Sequence, residues 1–480
     1  MQAEKGKWQQ RFNEWLSDIL SEAEILDYRY PLKGCGVWLP YGFKIRDNTL
    51  KIMKDLLNKT GHQETLFPLL IPDNIFAKEA IHVKGFEDEV YWVTHGGLSE
   101  LDVKLALRPT SETAMYPMFA LWIRSHADMP LKFYQAVSVF RYETKATKPL
   151  MRVREITTFK EAHTAHATWE DAENQVKEGV SVYSEFFEKL GIPFIINKRP
   201  EWDKFPGAIY SLAFDTLTPD HRTLQVGTVH NLGQTFAKTF EIAFETKDGG
   251  RDFAYQTCYG ISERTIAALI AVHGDDQGLK LPPIIAPIQI IIIPITFKGK
   301  EKKVIGVSDE VYKWLTEAGF RVKKDDSDLK PGKKFYFWEM KGVPLRVEIG
   351  PRDAEKKQLT YVRRDTMEKG SIPIGPNLFE TIKDLLDQIQ DNLADMAQKK
   401  FLGLVSEVKN IADAKRLLES ELGMVQIAWC GDKECALELE EKVGVGVLGT
   451  PIDEKWKIKK GKCPICNKEG TETLILGKAY

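Results

Sequence analysis

Four cysteines near the C-terminus form two pairs, Cys430 and Cys435 with four residues between them, and Cys463 and Cys466 with two. Four thiolates suit a tetrahedral Zn2+ ion, and clustered pairs in a reducing compartment suggest metal before disulfides. No open coordination position is suggested, so such a site is structural; unliganded thiols are the alternative. A second group of chemistry-bearing residues lies far upstream. Arg141 and Glu143 stand two apart in KFYQAVSVFRYE, a run that reads as a strand and so sets both on one face. A guanidinium holds two donors in a fixed fork, which suits a phosphate and a carboxylate side by side. The competing reading is an edge arginine in a salt bridge. If Glu112, in RPTSE, is buried, it must meet a ligand or a basic partner such as Arg108, because a buried unpaired carboxylate is costly.

The chain that must position these groups has 480 residues, 43% hydrophobic and 28% charged, with a formal net charge of -2. Such a length implies two to four domains, and such a composition excludes a disordered chain. The charge argues against a uniformly basic coat but allows a local basic patch. The start, MQAEKGKWQQRFNEWLSDIL, lacks the apolar core of a signal peptide. The most apolar run, IIAPIQIIIIPI, is too short to span a bilayer. A cytoplasmic protein without a membrane anchor is expected.

Periodicity predicts helices over 5–25, 47–57, 113–126 and 170–190, and an apolar one in ERTIAALIAVHG. Strands are predicted for QETLFPLLIP, over 90–109 around a THGG turn, over 132–143 and 155–163, over 224–228 and over 239–244. The basic stretch KATKPLMRVR reads as a mobile loop between two of them. The first domain is thus α+β with a largely antiparallel sheet. It has neither a glycine-rich P-loop nor a dinucleotide fingerprint, so a nucleotide must be held by side chains on strands. After LPPIIAP the pattern changes to alternating strands and helices, the mark of a small α/β domain with a mixed sheet. A long amphipathic helix and the cysteine-bearing remainder follow.

These residues resemble the class II aminoacyl-tRNA synthetases, and within them the prolyl-tRNA synthetases of archaeal and eukaryotic type. The resemblance runs along essentially the whole chain. DNTLKIMKDLL with QETLFP is similar to motif 1, Pro68 being its proline. KFYQAVSVFRYE, the basic loop and REITTFKEAH are similar to motif 2, and YGISERTIAALI to motif 3, with Arg264 as its arginine. Three blocks, RPTSE, PEWDKFPGA and QVGTVHNLG, are similar to family-specific segments. Each block is weak alone; together and in order they are specific. Motif 3 departs from the glycine-rich class pattern, since Ser262 and Glu263 precede Arg264.

The resemblance implies an α+β class II catalytic domain over 1–285, an α/β anticodon-binding domain over 286–385 and a small α+β zinc-binding domain over 386–480. It implies ATP-dependent ligation of L-proline to tRNA(Pro) through a prolyl-adenylate, with Mg2+ accompanying ATP, structural Zn2+ and a homodimer built on motif 1. A ligase for threonine, serine, glycine or histidine is the alternative. Arg141 would touch the α-phosphate and Arg264 the γ-phosphate and one face of adenine. Phe159 would stack on the other face, unless it is plain core, and Glu143 would accept from the adenosine amino group. Gln225 and Thr228 match positions contacting ATP and its magnesium, and Ser262 stands beside them. Arg152 and Arg154 would hold pyrophosphate or the acceptor end, or merely be solvated. Thr110 and Glu112 would take the two protons of the proline ammonium, with Glu161, His163 and His230 lining the same pocket and Trp169, Trp202 and Phe205 as apolar walls. Cys258 is a further candidate for the lining. In VPLRVEIGPRD, Arg346, Glu348 and Arg352 would read anticodon guanines, a solvated charged rim being the alternative. No domain-sized block separates motifs 2 and 3, which implies that the editing insertion of bacterial-like members is missing.

Overall fold

The structure, a computed structural model, describes residues 6–80, 86–297, 299, 301–420 and 423–480. A long antiparallel ladder forms its centre. In spatial order it runs Ile195–Lys198, Tyr210–Leu217, Thr223–Gly233, Tyr255–Ile261, Glu155–His166 and Leu131–Phe140, and Gln63–Glu64 adds a short parallel edge. Alternation along these strands sends one set of side chains to a helix-covered core and the other to an open face. On the covered side, the helix Trp169–Lys189 buries Val176, Tyr183, Phe186 and Phe187. It starts at Thr168, whose hydroxyl accepts from the Asp171 N–H at 3.1 Å, an N-cap. Gly227 is required there: a Cβ would meet the Tyr183 and Phe187 rings at 3.1 and 3.2 Å. The helix Arg264–His273 is apolar nearly all round and is buried accordingly.

The expected helices are found at Lys7–Gln10, Phe12–Glu22, Pro40–Lys59 and Glu112–Trp122; Lys5 lies outside the described residues. The proline at the first turn of Pro40–Lys59 starts that helix seven residues before the apolar stripe suggested. QETLFPLLIP gives two short strands, Gln63–Glu64 and Leu70–Pro72. The stretch 239–244 is corrected: it follows a short helix, Thr235–Thr239, and only Ala243–Glu245 is extended. Two central strands, Ile195–Lys198 and Tyr210–Leu217, were not anticipated.

The second sheet is mixed, in the order Val322–Lys324, Ile290–Pro294, Leu345–Ile349, Gln358–Arg363, Lys369–Pro373, with parallel pairs first and antiparallel pairs after. Leu378–Gly403 is the long helix; it packs Ile382, Leu386, Ile389 and Leu393 on this domain's core. The cysteine-bearing module does not stand apart. Its strands Val405–Val408, Met424–Trp429, Glu472–Gly477 and Gly446–Pro451 extend the central sheet, through pairing of Thr450 with Lys198 and Pro451 with Asn197. The result among the described residues is an eleven-stranded sheet shared by the first and last parts of the chain. No helix among the described residues is long and apolar enough to cross a membrane.

Candidate active site

The open face of the central sheet floors a cavity of about 550 Å³. Its lining includes Thr110, Glu112, Arg141, Glu143, Arg152, Phe159, Glu161, His163, Gln225, Thr228, His230, Ser262 and Arg264, thirteen positions scattered over 155 residues of sequence. Strand register explains the convergence. His230, Cys258 and His163 sit side by side on three neighbouring strands, and Thr228, Gly260 and Glu161 form the next row. Phe159, two residues before Glu161, continues the same face, while Lys160 between them points to the core.

Gln225 reaches this face by an irregularity. Strict alternation from Thr228 and His230 would turn it toward the covering helix, with Gly227 and Val229. Pairing with Tyr210–Leu217 shifts at this point, Gly227 opposing Phe214 but Gln225 opposing Asp215, so Val226 is an extra residue. Such a bulge re-aims the side chain next to it.

One end of the cavity is acidic. Phe67 N–H donates to Gln135 Oε1 at 3.0 Å, and Gln135 Nε2 donates to Ser111 Oγ at 2.8 Å. Ser111 then donates to Glu161. Thr110 Oγ1 is within bonding reach of both Glu161 (2.7 Å) and Glu112. A hydroxyl has one proton, so it donates to one carboxyl and accepts from the other, which must itself be protonated. Burial, reinforced by Glu112, pushes Glu161 up to about 8, which favours Glu161 as the protonated partner and Glu112 as the end of the chain of donors. Arg108 does not pair with Glu112. It donates to the carbonyls of Phe67 (2.8 Å), Pro68 (3.2 Å) and Ser138 (3.0 Å), tying the motif 1 segment to the sheet. Cys258 is buried with its sulfur 3.9 Å from Glu112 Oε1. Burial holds His163 below the usual histidine range and His230 at about 3. Both are neutral, anchored at Nδ1 to Tyr116 (2.9 Å) and Ser211 (2.7 Å) respectively.

The other end is cationic. The strand carrying Arg141 ends at Phe140, earlier than expected, so Arg141 and Glu143 are aimed by the chain turn and not by strand alternation. Arg141 Nε donates to Pro109 O at 3.1 Å, and its guanidinium lies 5.5 Å from the Phe159 ring centre. Arg264 Nε donates to Met151 O at 3.0 Å. Burial, with Arg141 and Arg152 near it, lowers Arg264 to about 10, still protonated at neutral pH. Arg152 faces Glu143 at 3.9 Å. The basic loop is closed by paired bonds between Lys148 and Arg152, at 2.8 and 2.9 Å. Arg154 does not line the cavity; it grips the Glu143 carbonyl and lies over Tyr142.

Trp202 and Phe205 wall the cavity, the latter 5.0 Å ring to ring from His230. Trp169 does not: it is 41% exposed at the start of its helix, edge-on to Tyr255. Among the cavity residues the sequence did not single out are Arg199 and Ser211, together with Glu263, whose carboxylate accepts from the Thr157 N–H at 2.7 Å and joins motif 3 to motif 2. Arg199 immediately precedes PEWDKFPGA, the one signal that could have drawn attention to it.

A tRNA synthetase class II core domain (G, H, P, S and T) matches residues 91–273. An anticodon binding domain matches 289–385, and a prolyl-tRNA synthetase C-terminal domain matches 411–480. The proline–tRNA ligase of Methanothermobacter thermautotrophicus is 55% identical over 471 residues, 98% of this chain and 96% of that one. The chain belongs to the prolyl-tRNA synthetases. The family's solved structures share its fold. That of the Giardia lamblia synthetase in complex with prolyl-adenylate has a TM-score of 0.94 at 38% identity, covering 98% of this chain and 99% of that one. That of the Cryptosporidium parvum synthetase with halofuginone and AMPPNP has a TM-score of 0.94 at 36% identity, covering 100% and 99%.

Away from the cavity, the three charged residues of the second domain part company. Arg346 and Glu348 are 9% and 5% exposed and bond to each other at 3.1 Å. Glu339 closes on Arg346 from one side, and the Phe335 ring lies 4.2 Å from its guanidinium. Arg352 is exposed on the short helix Pro351–Lys356. The four late cysteines do converge: their sulfurs all lie within 4.8 Å of one another, and those of Cys430 and Cys466 are 3.6 Å apart.

Proposed function

We propose that this chain ligates L-proline to tRNA(Pro), using ATP and passing through a prolyl-adenylate. The observation that carries the reading is the polarity of the cavity, a buried carboxyl cluster at one end and three arginines at the other. Proline brings a secondary ammonium with two protons on a small rigid ring. Glu112 supplies the negative charge for that group, helped by Thr110, and the protonated Glu161 fixes Thr110 as a donor toward Glu112. Neutral His163 and His230 add no repulsion to the ammonium. Phe205 and Trp202 close on the ring.

The proline carboxylate then lies toward Arg141, which holds it beside the α-phosphate. Two anions brought together repel unless their charge is spread, and a rigid guanidinium does this without reorganising. The carboxylate oxygen attacks the α-phosphorus and pyrophosphate leaves from the opposite side. Phe159 and Arg264 sandwich adenine, and Glu143 accepts from its amino group. Thr228, Gln225, Ser262 and Arg152 line the remaining path of the nucleotide, which enters as its Mg2+ complex. In the second step the terminal ribose hydroxyl of the tRNA attacks the activated carbonyl and AMP departs. The alternative amino acids of this core class, threonine, serine, glycine and histidine, carry a primary ammonium and are not favoured.

Supporting roles follow for the other parts. Cys430, Cys435, Cys463 and Cys466 fit structural Zn2+: a tetrahedron with Zn–S bonds of about 2.3 Å sets sulfurs about 3.8 Å apart. In the anticodon-binding domain, Arg352 is the residue free enough of the interior to meet an unstacked base, with Arg346 and Glu348 beneath it. A homodimer in the cytoplasm is proposed on the apolar surface at the end of motif 1. Leu66 is 81% exposed and Trp122, 5.9 Å from the Phe67 ring, is 44% exposed. Such a patch calls for a partner.

Amino-acid-dependent exchange of pyrophosphate into ATP, run with all twenty amino acids, tests the reading. Proline alone should support rapid exchange; faster exchange with another amino acid would overturn it.

A further inference from the structure

We infer that Arg199 is a positioning residue for the nucleotide end of the cavity, and that it makes the orientation of Gln225 depend on the docked C-terminal module. This rests on the proposed function for the identity of the nucleotide. Arg199 is 8% exposed and both terminal amino groups of its fork are engaged, while its Nε lies 3.9 Å from Asp203. One amino group donates to Asp215 Oδ1 at 2.7 Å and to Gln225 Oε1 at 2.8 Å. The other donates to the main-chain carbonyl of Leu448, in the C-terminal module.

Three consequences follow. A guanidinium has donors only, so the amide oxygen of Gln225 must face Arg199 and its NH2 must face the cavity. Gln225 therefore offers the nucleotide a hydrogen-bond donor and not an oxygen for a metal. Second, Arg199 is not itself an anion receptor. Its charge is neutralised by Asp215, which is 1% exposed and has its other oxygen held by Asn197 at 2.8 Å. Third, the Leu448 carbonyl is available only while the strand Gly446–Pro451 pairs with Ile195–Lys198, one residue before Arg199. Some 250 residues of sequence separate the two, so docking of the module is read at the ATP site through one side chain. A second chamber of about 300 Å³ lies along this seam. Arg199, Gln225 and Arg264 line it on one side and Val447, Leu448 and Tyr480 on the other.

The test uses the full-length enzyme and R199A, R199K, Q225A and R199A/Q225A. Pyrophosphate exchange is titrated separately in ATP and in proline, with calorimetry for ATP binding and melting as a check on folding. In R199A the KM for ATP should rise roughly 10-fold, the size expected when one donor to a charged ligand is misplaced, with the KM for proline unchanged. R199K should fall between, because an ammonium can hold the amide oxygen but not the Leu448 carbonyl as well. The double variant should be no worse than Q225A. If R199A fails to fold, R199K carries the same comparison. An unchanged KM for ATP, equal rises in both KM values, or additive effects of R199A and Q225A would overturn the inference. Absence of proline-dependent exchange in the unmodified enzyme would instead overturn the proposed function.

Discussion

Arg141 and Glu143 in the catalytic domain, and Arg346 and Glu348 in the anticodon-binding domain, have the same two-residue spacing at the end of an apolar run. They meet opposite fates. The first pair lies just beyond its strand, which stops at Phe140, and both side chains enter a cavity, where Glu143 faces Arg152 at 3.9 Å. The second pair lies inside the strand Leu345–Ile349, where like-facing neighbours bond to each other and are sealed by Glu339 and Phe335. A charged pair on a strand is thus a ligand site or a piece of internal scaffolding according to where the ladder ends, and sequence spacing does not reveal that.

The sharpest break between the two is functional. Arg141→Ala should lower proline-dependent pyrophosphate exchange by roughly 100- to 1,000-fold, the size of one lost charge-stabilising donor, with little change in melting temperature. A comparable fall in melting temperature would make Arg141 scaffolding like its counterpart.

Acid should separate the domains next. All nine histidines precede residue 274. Burial lowers His62, His166 and His273 to about 4 and His230 to about 3. Their folded values lie below the unfolded one, near 6.5, so the unfolded state binds more protons as pH falls. The stability present above pH 6.5 is lost between there and about pH 4, at up to about 1.4 kcal/mol per pH unit for each histidine. Hydrogen exchange at pH 7 and pH 5 should show the catalytic sheet loosening before the strands Ile290–Pro294 and Leu345–Ile349. Uniform loosening would contradict this.

Arg346→Ala should be the mirror image of Arg141→Ala. It leaves the buried Glu348 with Lys369 as its remaining cation, at 2.9 Å, and the half-buried Glu339 without Arg346, which costs up to about 3 kcal/mol, visible in chemical denaturation, while pyrophosphate exchange stays near its normal rate. Unaltered stability would return Arg346 to the list of base-reading residues. The smallest effect is expected at Arg352. Its change to alanine should weaken tRNA charging roughly 10-fold, about 1.4 kcal/mol of base discrimination, without altering exchange or stability; equal loss in charging and exchange would remove it from the anticodon site.

What could be read from the sequence followed the same division. Phe159, Glu161 and His163 alternate on one strand, and period 2 alone sets them on a common face, so their convergence was legible. The mixed sheet of the second domain followed from the alternation of its elements. Arg199 was not legible, because its partners Asp215, Gln225 and Leu448 are brought to it by two bulged or distant strand pairings. Gln225 itself points into the cavity only because Val226 breaks the alternation. Trp169 was misread because a helix start just after the strand that carries Glu161 and His163 looks like a pocket wall until the helix direction is known. The joining of the cysteine-bearing module to the catalytic sheet rests on two residue pairs, Thr450 with Lys198 and Pro451 with Asn197, which no local pattern announces.

The central claim is that Glu112 provides the charge that selects proline. Glu112→Gln keeps the shape and removes the charge at the end of the donor chain from Phe67 through Gln135, Ser111, Glu161 and Thr110. Pyrophosphate exchange titrated in proline, with ATP affinity measured alongside, is the direct measurement. The predicted result is a fall in kcat/KM for proline of about 30-fold to several thousand-fold, equivalent to about 2–5 kcal/mol for a buried charged hydrogen bond, with ATP binding unchanged. An unaltered proline dependence would contradict the account and move the ammonium site to Glu161 and His163.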